Sequence, residues 1–420
     1  MTSRVCLITT GQPSTNPRLV KEADALTGCG CQVHVVGAHR AVWADETDQA
    51  LLATRGWSCE ILDWRRETNP WLFWKSRARH LAARTAAYVP GLGTAWTSAS
   101  AGRLTAEIAA AAAAWPADLY VAHTLGALPA AHAAARQHGA RVGFDAEDFH
   151  RGQPGPGEAG AIERVRMIED RYLPECEYVT AASPGIAGAY AALYPVAPVV
   201  VLNVFPLAER PTQPRSPGAS SLRLYWFSQT IGADRGLEDA VRAMGLLSDP
   251  RVELHLRGEW QSGFQARLRS LAASSGVADR QVVHHAPADP SSMVGLAGDY
   301  DAGLALEPGR TSNSDLALSN KIFTYLLAGI PVLASATSAQ AELCRDLGAA
   351  AIVTPVGDAP AIAHALRCWL TDPGLLPAAR AAAVRLGETR FNWDREREHY
   401  LEVVRRVLAS PARLAAERAS

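Results

Sequence analysis

Short apolar runs alternate along this chain with segments whose apolar residues recur every three to four positions. VCLITT (5–10) reads as a strand, PRLVKEADALTG (17–28) as a helix and CQVHVVGA (31–38) as the next strand. The rhythm returns in ADLYVAH (117–123), an alanine-rich helix over 127–138, ARVGFDA (140–146), a charged helix over 158–173, CEYVTAAS (176–183) and PVVVLN (198–203). Near-continuous apolar strands separated by helices predict a parallel sheet covered on both faces.

The pattern stops at FPLAERPTQPRSPGASS (205–221), which is rich in Pro and Ser, shows no period and reads as a linker. It then restarts with LRLYWFSQ (222–229), a helix over 236–247, VELHLRG (252–258), QVVHHA (281–286), YDAGLAL (300–306), IPVLAS (330–335) and AAIVTP (350–355). The expected fold class is α/β, with parallel-sheet units over 1–204 and 222–390 around the linker. An amphipathic helix over 391–409, within a terminal segment 391–420, is expected to cross back to the first unit. Ligands of such units bind at the carboxyl ends of the strands, so both sheets are expected to present their loops to a shared cleft.

At 420 residues the chain is too long for one ordinary core, which agrees with two units. Hydrophobic residues at 48% and charged residues at 20% are a globular balance, and a net charge of −1 removes any general attraction to nucleic acid. The 7 cysteines lack metal-ligand spacing and read as reduced thiols of a cytosolic protein. The opening MTSRVCLITT is too short and too mixed for a signal peptide, and no run of about 18 apolar residues occurs. The expected location is therefore the cytoplasm. Abundant Ala, Arg and Gly suggest a GC-rich bacterial genome.

Three stretches of the second half sit where a strand hands over to a helix. In FSQTIGADRGLEDAV, Gly232, Arg235 and Gly236 precede a helix; glycines admit a close ligand, the helix start offers free N–H groups, and Arg235 adds charge. In LALSNKIFTYLLAGIPVLAS (316–335), Ser319, Asn320 and Lys321 open an apolar helix that ends at Gly329. Two cationic loops in one domain suit a diphosphate, whose charge each could share. Gly258 in LHLRGEW and His285 in VVHHAPADP are walls for a flat base, or simple loop chemistry.

The series FSQTIGADRGLE, LHLRG, VVHHA, DYDAGLALEP, SNKIFTYLLAGIPVLAS and the FNW of the terminal helix resembles glycosyltransferase family 4. TTGQPSTNPRLVKEADAL is similar to the family's first strand–loop–helix, and VAHTLGALPAA to its histidine-bearing loop, so the likeness covers nearly the whole chain. The resemblance implies a retaining enzyme of GT-B fold, with two Rossmann-like domains that bind acceptor and nucleotide-diphosphate sugar respectively. The nucleotide sugar is then a co-substrate, and neither a cofactor nor a metal is expected. His123, Arg235 and Lys321 are the expected catalytic group. Gly11, Gln229, Thr230, Gly232, Gly258, His285, Glu307, Ser319, Asn320 and Thr324 form the donor side. The family's paired glutamates are replaced here by Leu316 and Thr324, which leaves Glu307 to supply a carboxylate. Gln229 or Thr230 stands where the first basic residue of the family's diphosphate pair is expected.

The run FDAEDFHRGQ (144–153) gathers Asp145, Glu147, Asp148 and His150 at a strand end. Glu147, Asp148 and His150, with Asn16, are the expected acceptor side, and a capped helix start is the competing reading. NPWLFWKSRARHLAAR (69–84) interleaves Trp71, Phe73 and Trp74 with Lys75, Arg77, Arg79 and Arg84. It suits peripheral contact with the inner face of a membrane and a lipid-linked acceptor, or else a core-facing aromatic helix with a solvated basic face. The acceptor is left open among glycan, lipid-linked sugar and small molecule. Because the glutamate pair is missing, a binding protein without catalysis, or a sugar-nucleotide epimerase of the same fold, stands as the alternative.

Overall fold

An apolar run without alternation must be covered on both faces, and β1 (Arg4–Thr9) shows it by being buried from Val5 onward. It sits inside a seven-stranded sheet with β2 (Gln32–Ala38), β3 (Ser58–Leu62), β4 (Leu119–His123), β5 (Arg141–Ala146), β6 (Tyr178–Ala181) and β7 (Val199–Val200). The order is β3-β2-β1-β4-β5-β6-β7, and every neighbouring pair is parallel. A second, six-stranded sheet contains β8 (Leu222–Ile231), β9 (Val252–Trp260), β10 (Val282–His285), β11 (Ala302–Ala305), β12 (Val332–Ser335) and β13 (Ala351–Thr354). Its order is β10-β9-β8-β11-β12-β13, again parallel throughout.

This computed structural model describes residues 2–86, 93–155, 158–212 and 221–411. The chain divides into one unit of Met1–Val201 with Arg397–Ser420 and another of Leu202–Glu396. The last helix, Trp393–Ala409, therefore starts in the second unit and continues in the first. Of the linker expected at 205–221, residues 213–220 lie outside the described residues. Residues 205–212 belong with the second unit, where the Phe205 carbonyl accepts from Trp393 N–H at 2.8 Å and Leu207 N–H donates to Asp394 at 2.8 Å. Backbone groups that leave water need partners, and the terminal helix supplies them to a stretch whose Pro content suggests none.

Three local differences from the sequence pattern have physical causes. β3 carries no strong apolar alternation because it is an edge strand, more exposed than β2. β7 shrinks to two residues, since Pro198 cannot donate to a ladder and β7 is also an edge. β8 runs on past the expected end at 229, because a bulge between Phe227 and Thr230 lets Thr230 and Ile231 pair with Glu259 and Trp260.

In each sheet the winding reverses once, between β1 and β4 and between β8 and β11. Loops leaving these paired strands diverge at their carboxyl ends and open a crevice there. The core of the second unit, including Trp226, Leu254 and Leu333, anchors the strands whose ends define that crevice.

Candidate functional site

At the reversal point of the second sheet, β11 ends at Ala305 and Glu307 follows. Glu307 Oε1 accepts from Ser319 Oγ at 3.1 Å and from Lys321 Nζ at 3.0 Å. Burial alone would raise the Glu307 carboxyl; Lys321, Ser319 and Arg235 hold it below its ordinary value instead. Lys321 is pinned further by the buried Trp226 ring, whose centroid lies 5.3 Å from Nζ.

The helix Asn320–Ala328 begins here, and its N-cap Ser319 makes no side-chain cap hydrogen bond because the hydroxyl is turned to Glu307. Its first N–H groups are left for another acceptor. Gly329 ends the helix in the left-handed conformation, φ 76°, as expected of a glycine stop.

A second uncapped helix start adjoins the first. Gly236, at φ 71°, precedes the Leu237–Leu247 helix, and a Cβ there would lie 2.1 Å from the Leu306 carbonyl oxygen. Only glycine lets this helix start approach the end of β11 so closely. The turn before it is set by Asp234, also left-handed at φ 59°, which pairs with Arg310 at 2.8 Å. Arg235 is exposed and has no ion-pair partner among the described residues. The acids of the first helical turn are already matched, Glu238 by Arg267 and Asp239 by Arg242.

Other donor-side residues separate into neighbours and bystanders. Gln229 and Thr230 are exposed on the extended end of β8, and Gly232 is buried against Gln261. Asn320 is exposed in the first helical turn. Gly258 acts through its backbone: at φ 140° a Cβ would meet the Ser228 carbonyl at 2.1 Å, so it serves the β8 bulge. Thr324 is fully buried and its hydroxyl donates to the Asn320 carbonyl at 3.4 Å, which corrects its assignment to the donor side: in this helix it faces the core. His285 is engaged with the Nδ1 of His255 at 3.0 Å and the Tyr300 hydroxyl at 3.3 Å, within a cluster where Tyr225 stacks on Tyr300. It is a side-chain network on one face of the sheet, and burial lowers the pKa of both histidines.

The reversal point of the first sheet holds a different arrangement. His123, the last residue of β4, is fully buried, with Nε2 at 3.3 Å from Glu22 and Nδ1 at 3.4 Å from Asp145. Arg18 closes the group, donating to both Asp145 oxygens at 2.7 Å and to the Val201 carbonyl at 2.6 Å. Thr180 adds a hydrogen bond to Asp145 at 2.6 Å. Burial alone would discharge His123, yet the Glu22 and Asp145 carboxylates more than reverse this and lift its pKa to about 10. Burial would likewise raise Asp145, but Arg18 and then His123 hold it well below the usual carboxylate range.

Glu22, His123 and Asp145 bring three ligand-type atoms within 4.8 Å of one another. They form a balanced set of two cations and two anions once Arg18 is counted. A metal ion would have to displace a buried guanidinium, so the donor set fits an ion network rather than a metal centre.

The sequence singled out His123 as catalytic and Asp145 within a strand-end cluster, and neither reading included Arg18 or Glu22. Both lie on the Pro17–Gly28 helix one turn apart, on the arc shared with Leu19, Ala23 and Leu26. Opposite charges at i and i+4 on an apolar arc are a readable signal of a buried pair.

Around this network lie the remaining expected residues. Gly11 is packed between Thr15 and Gly37, and its carbonyl accepts from Ala38 N–H at 3.0 Å. Asn16 caps the Pro17–Gly28 helix by accepting from Leu19 N–H at 3.1 Å, which engages the side chain expected on the acceptor side. Asp148 and His150 both meet Gln153, at 2.8 Å and 3.2 Å. Glu147 is half-buried and accepts no hydrogen bond among the described residues; burial pushes its carboxyl up to about 7, and the Asp145 charge adds to the shift. Thr124, the residue after His123, holds φ 102°, rare for a β-branched residue, with its hydroxyl 3.2 Å from that of Thr10.

No protein-family model matches the sequence, and no curated protein matches it. Among the described residues no helix is long and apolar enough to cross a membrane. Solved structures do match along almost the whole chain. Sucrose-phosphate synthase from Thermosynechococcus elongatus superposes with a TM-score of 0.68 at 15% identity, covering 97% of this chain and 99% of that one. HepE from Anabaena in complex with UDP gives 0.66 at 15% identity, covering 96% and 100%. A glycosyltransferase from Rickettsia africae gives 0.67 at 11% identity, covering 98% and 100%. With two parallel α/β units wound as these glycosyltransferases are, the chain has the GT-B fold.

Proposed function

We propose that this chain is a glycosyltransferase that moves a sugar from a nucleoside-diphosphate donor to an acceptor hydroxyl. One observation carries the reading: two uncapped helix starts, Lys321 and the unpaired Arg235 gather around Glu307 at the reversal point of the second sheet. Free N–H groups and cations at one place bind a diphosphate and stabilise it as a leaving group. The UDP complexes of HepE support uridine diphosphate as the nucleotide.

In the reaction the bond between the anomeric carbon and the β-phosphate oxygen breaks, and the electron pair leaves with the diphosphate. Lys321, Arg235 and the helix starts meet that charge. The acceptor oxygen bonds to the anomeric carbon while its proton passes to the departing phosphate oxygen, so that the bonds formed and broken balance. Glu307 Oε2 accepts no hydrogen bond among the described residues, which suits a ribose hydroxyl in place of the glutamate pair lost at Leu316 and Thr324. Retention belongs to the reading through the family resemblance, and so does a reaction that proceeds without metal.

Thermal unfolding with a panel of nucleoside diphosphates and nucleotide sugars tests the donor site. UDP at one hundred times its dissociation constant should add about 2.7 kcal/mol of stability. Arg235→Ala should abolish most of the shift while leaving the unliganded midpoint in place, since Arg235 is exposed. A chain that no nucleotide stabilises would overturn the reading.

A further inference from the structure

The helix Pro70–Ala86 in the first unit has a packed side and an exposed side, on which Arg66 lies 5.6 Å from the Trp74 ring centroid. Its inner side is held by Phe73, stacked on Trp64 at 6.2 Å with Arg103 over both rings, and by Arg79, which donates to Glu107 at 2.8 Å. On the outer side Trp71, Trp74, Ala78 and Leu81 share one stripe at three- and four-residue steps. Trp71 is 75% exposed, Trp74 52% and Leu81 65%, which places them among the most exposed large apolar residues of the chain. Trp43, which precedes the helix Ala44–Leu52 whose Asp45 pairs with Arg65, is exposed as well.

Charge decides what would cover this stripe. The helix contains no acidic residue. Arg79 is engaged inward, whereas Lys75, Arg77 and Arg84 are exposed and have no ion-pair partner among the described residues. Indole rings settle at the level of lipid headgroups, and unpaired Lys and Arg beside them are drawn to anionic lipid.

We propose that this face seats the first unit on the surface of an anionic membrane, with Trp71, Trp74 and Leu81 in the headgroup boundary and Lys75, Arg77 and Arg84 against lipid phosphate. The seat is peripheral. It stands independently of the donor site; should the transferase reading also hold, it brings the chain to a lipid-linked acceptor.

The test uses the full-length protein with vesicles of phosphatidylcholine alone and of phosphatidylcholine mixed with phosphatidylglycerol. Co-sedimentation with the anionic vesicles only, a shift of tryptophan emission to shorter wavelength, and weakening by salt are expected. Lys75→Glu combined with Arg77→Glu and Arg84→Glu should lower the binding constant on the order of a hundredfold, from roughly fivefold per cation near the surface. Trp71→Ala with Trp74→Ala should remove the emission shift. Both variants should keep the wild-type unfolding midpoint and UDP stabilisation, which separates loss of the seat from misfolding and from failure of the donor site. Absence of vesicle binding, binding that ignores these substitutions, or equal binding to both vesicle types would overturn the proposal. So would concentration-dependent self-association that Trp71→Ala abolishes, because it would give the stripe to a second copy of the chain.

Discussion

The sharpest test of the buried network is the proton on His123. A group whose pKa rises on folding binds its proton more tightly in the native state. Its stabilising contribution is complete below the unfolded pKa of about 6.5 and is lost as the pH climbs through the folded value. For His123 that value is about 10. Linkage then predicts that moving from pH 7 to pH 9 removes about 2–3 kcal/mol from the stability of the wild-type first unit. In His123→Gln, which has no proton to lose, this component is absent. Cysteines that ionise on unfolding also weaken the protein at high pH, burial having raised Cys6 and Cys59, but they do so equally in both proteins. The readout is therefore the difference between wild type and variant. Urea denaturation at the two pH values measures it, with hydrogen exchange of peptides from β4 and β5 to assign it to the first unit. Parallel losses in the two proteins would refute a charged His123. That result would leave Arg18 alone to balance Glu22 and Asp145.

The other expectations concern single positions. Gly236→Ala puts a methyl 2.1 Å from the Leu306 carbonyl at φ 71°, so the second unit should lose about 2–4 kcal/mol in urea denaturation, and an unchanged midpoint would refute the close approach. Glu147 is raised to about 7, so its charge opposes folding increasingly as the pH rises from its ordinary range through that value. Glu147→Gln should thus melt like wild type near pH 5 and stabilise by about 1–2 kcal/mol at pH 8, after discounting for partial exposure; equal melting at both pH values would contradict it. Lys321→Met should weaken UDP binding about tenfold or more by calorimetric titration, whereas Lys321→Arg should retain part of it. Equal affinity in Met and wild type would remove Lys321 from the diphosphate site.

What the sequence determined by itself is the part that depends on local periodicity. Unbroken apolar runs such as VCLITT and LRLYWFSQ must be covered on both faces, so the parallel α/β character and the doubling of the pattern were legible, as were the Gly329 stop and the helix beginning at Asn320. The tie of Glu307 to Lys321 was half legible, because both residues flank one strand–helix junction, although their 3.0 Å contact depends on where β11 ends. Tertiary structure alone decided the rest. Arg18 and Asp145 are far apart in the chain, and only the placing of β5 beside β4 puts a carboxylate under the guanidinium and buries His123 between Glu22 and Asp145. Likewise the side of the Pro70–Ala86 helix that faces Glu107 cannot be read from its own residues, since Arg79 and Arg77 look alike until the neighbouring helix Thr105–Ala114 packs against one and leaves the other bare. Periodicity is a property of neighbours in sequence. Charge pairing, burial and pKa are properties of neighbours in space, and only the folded chain supplies those.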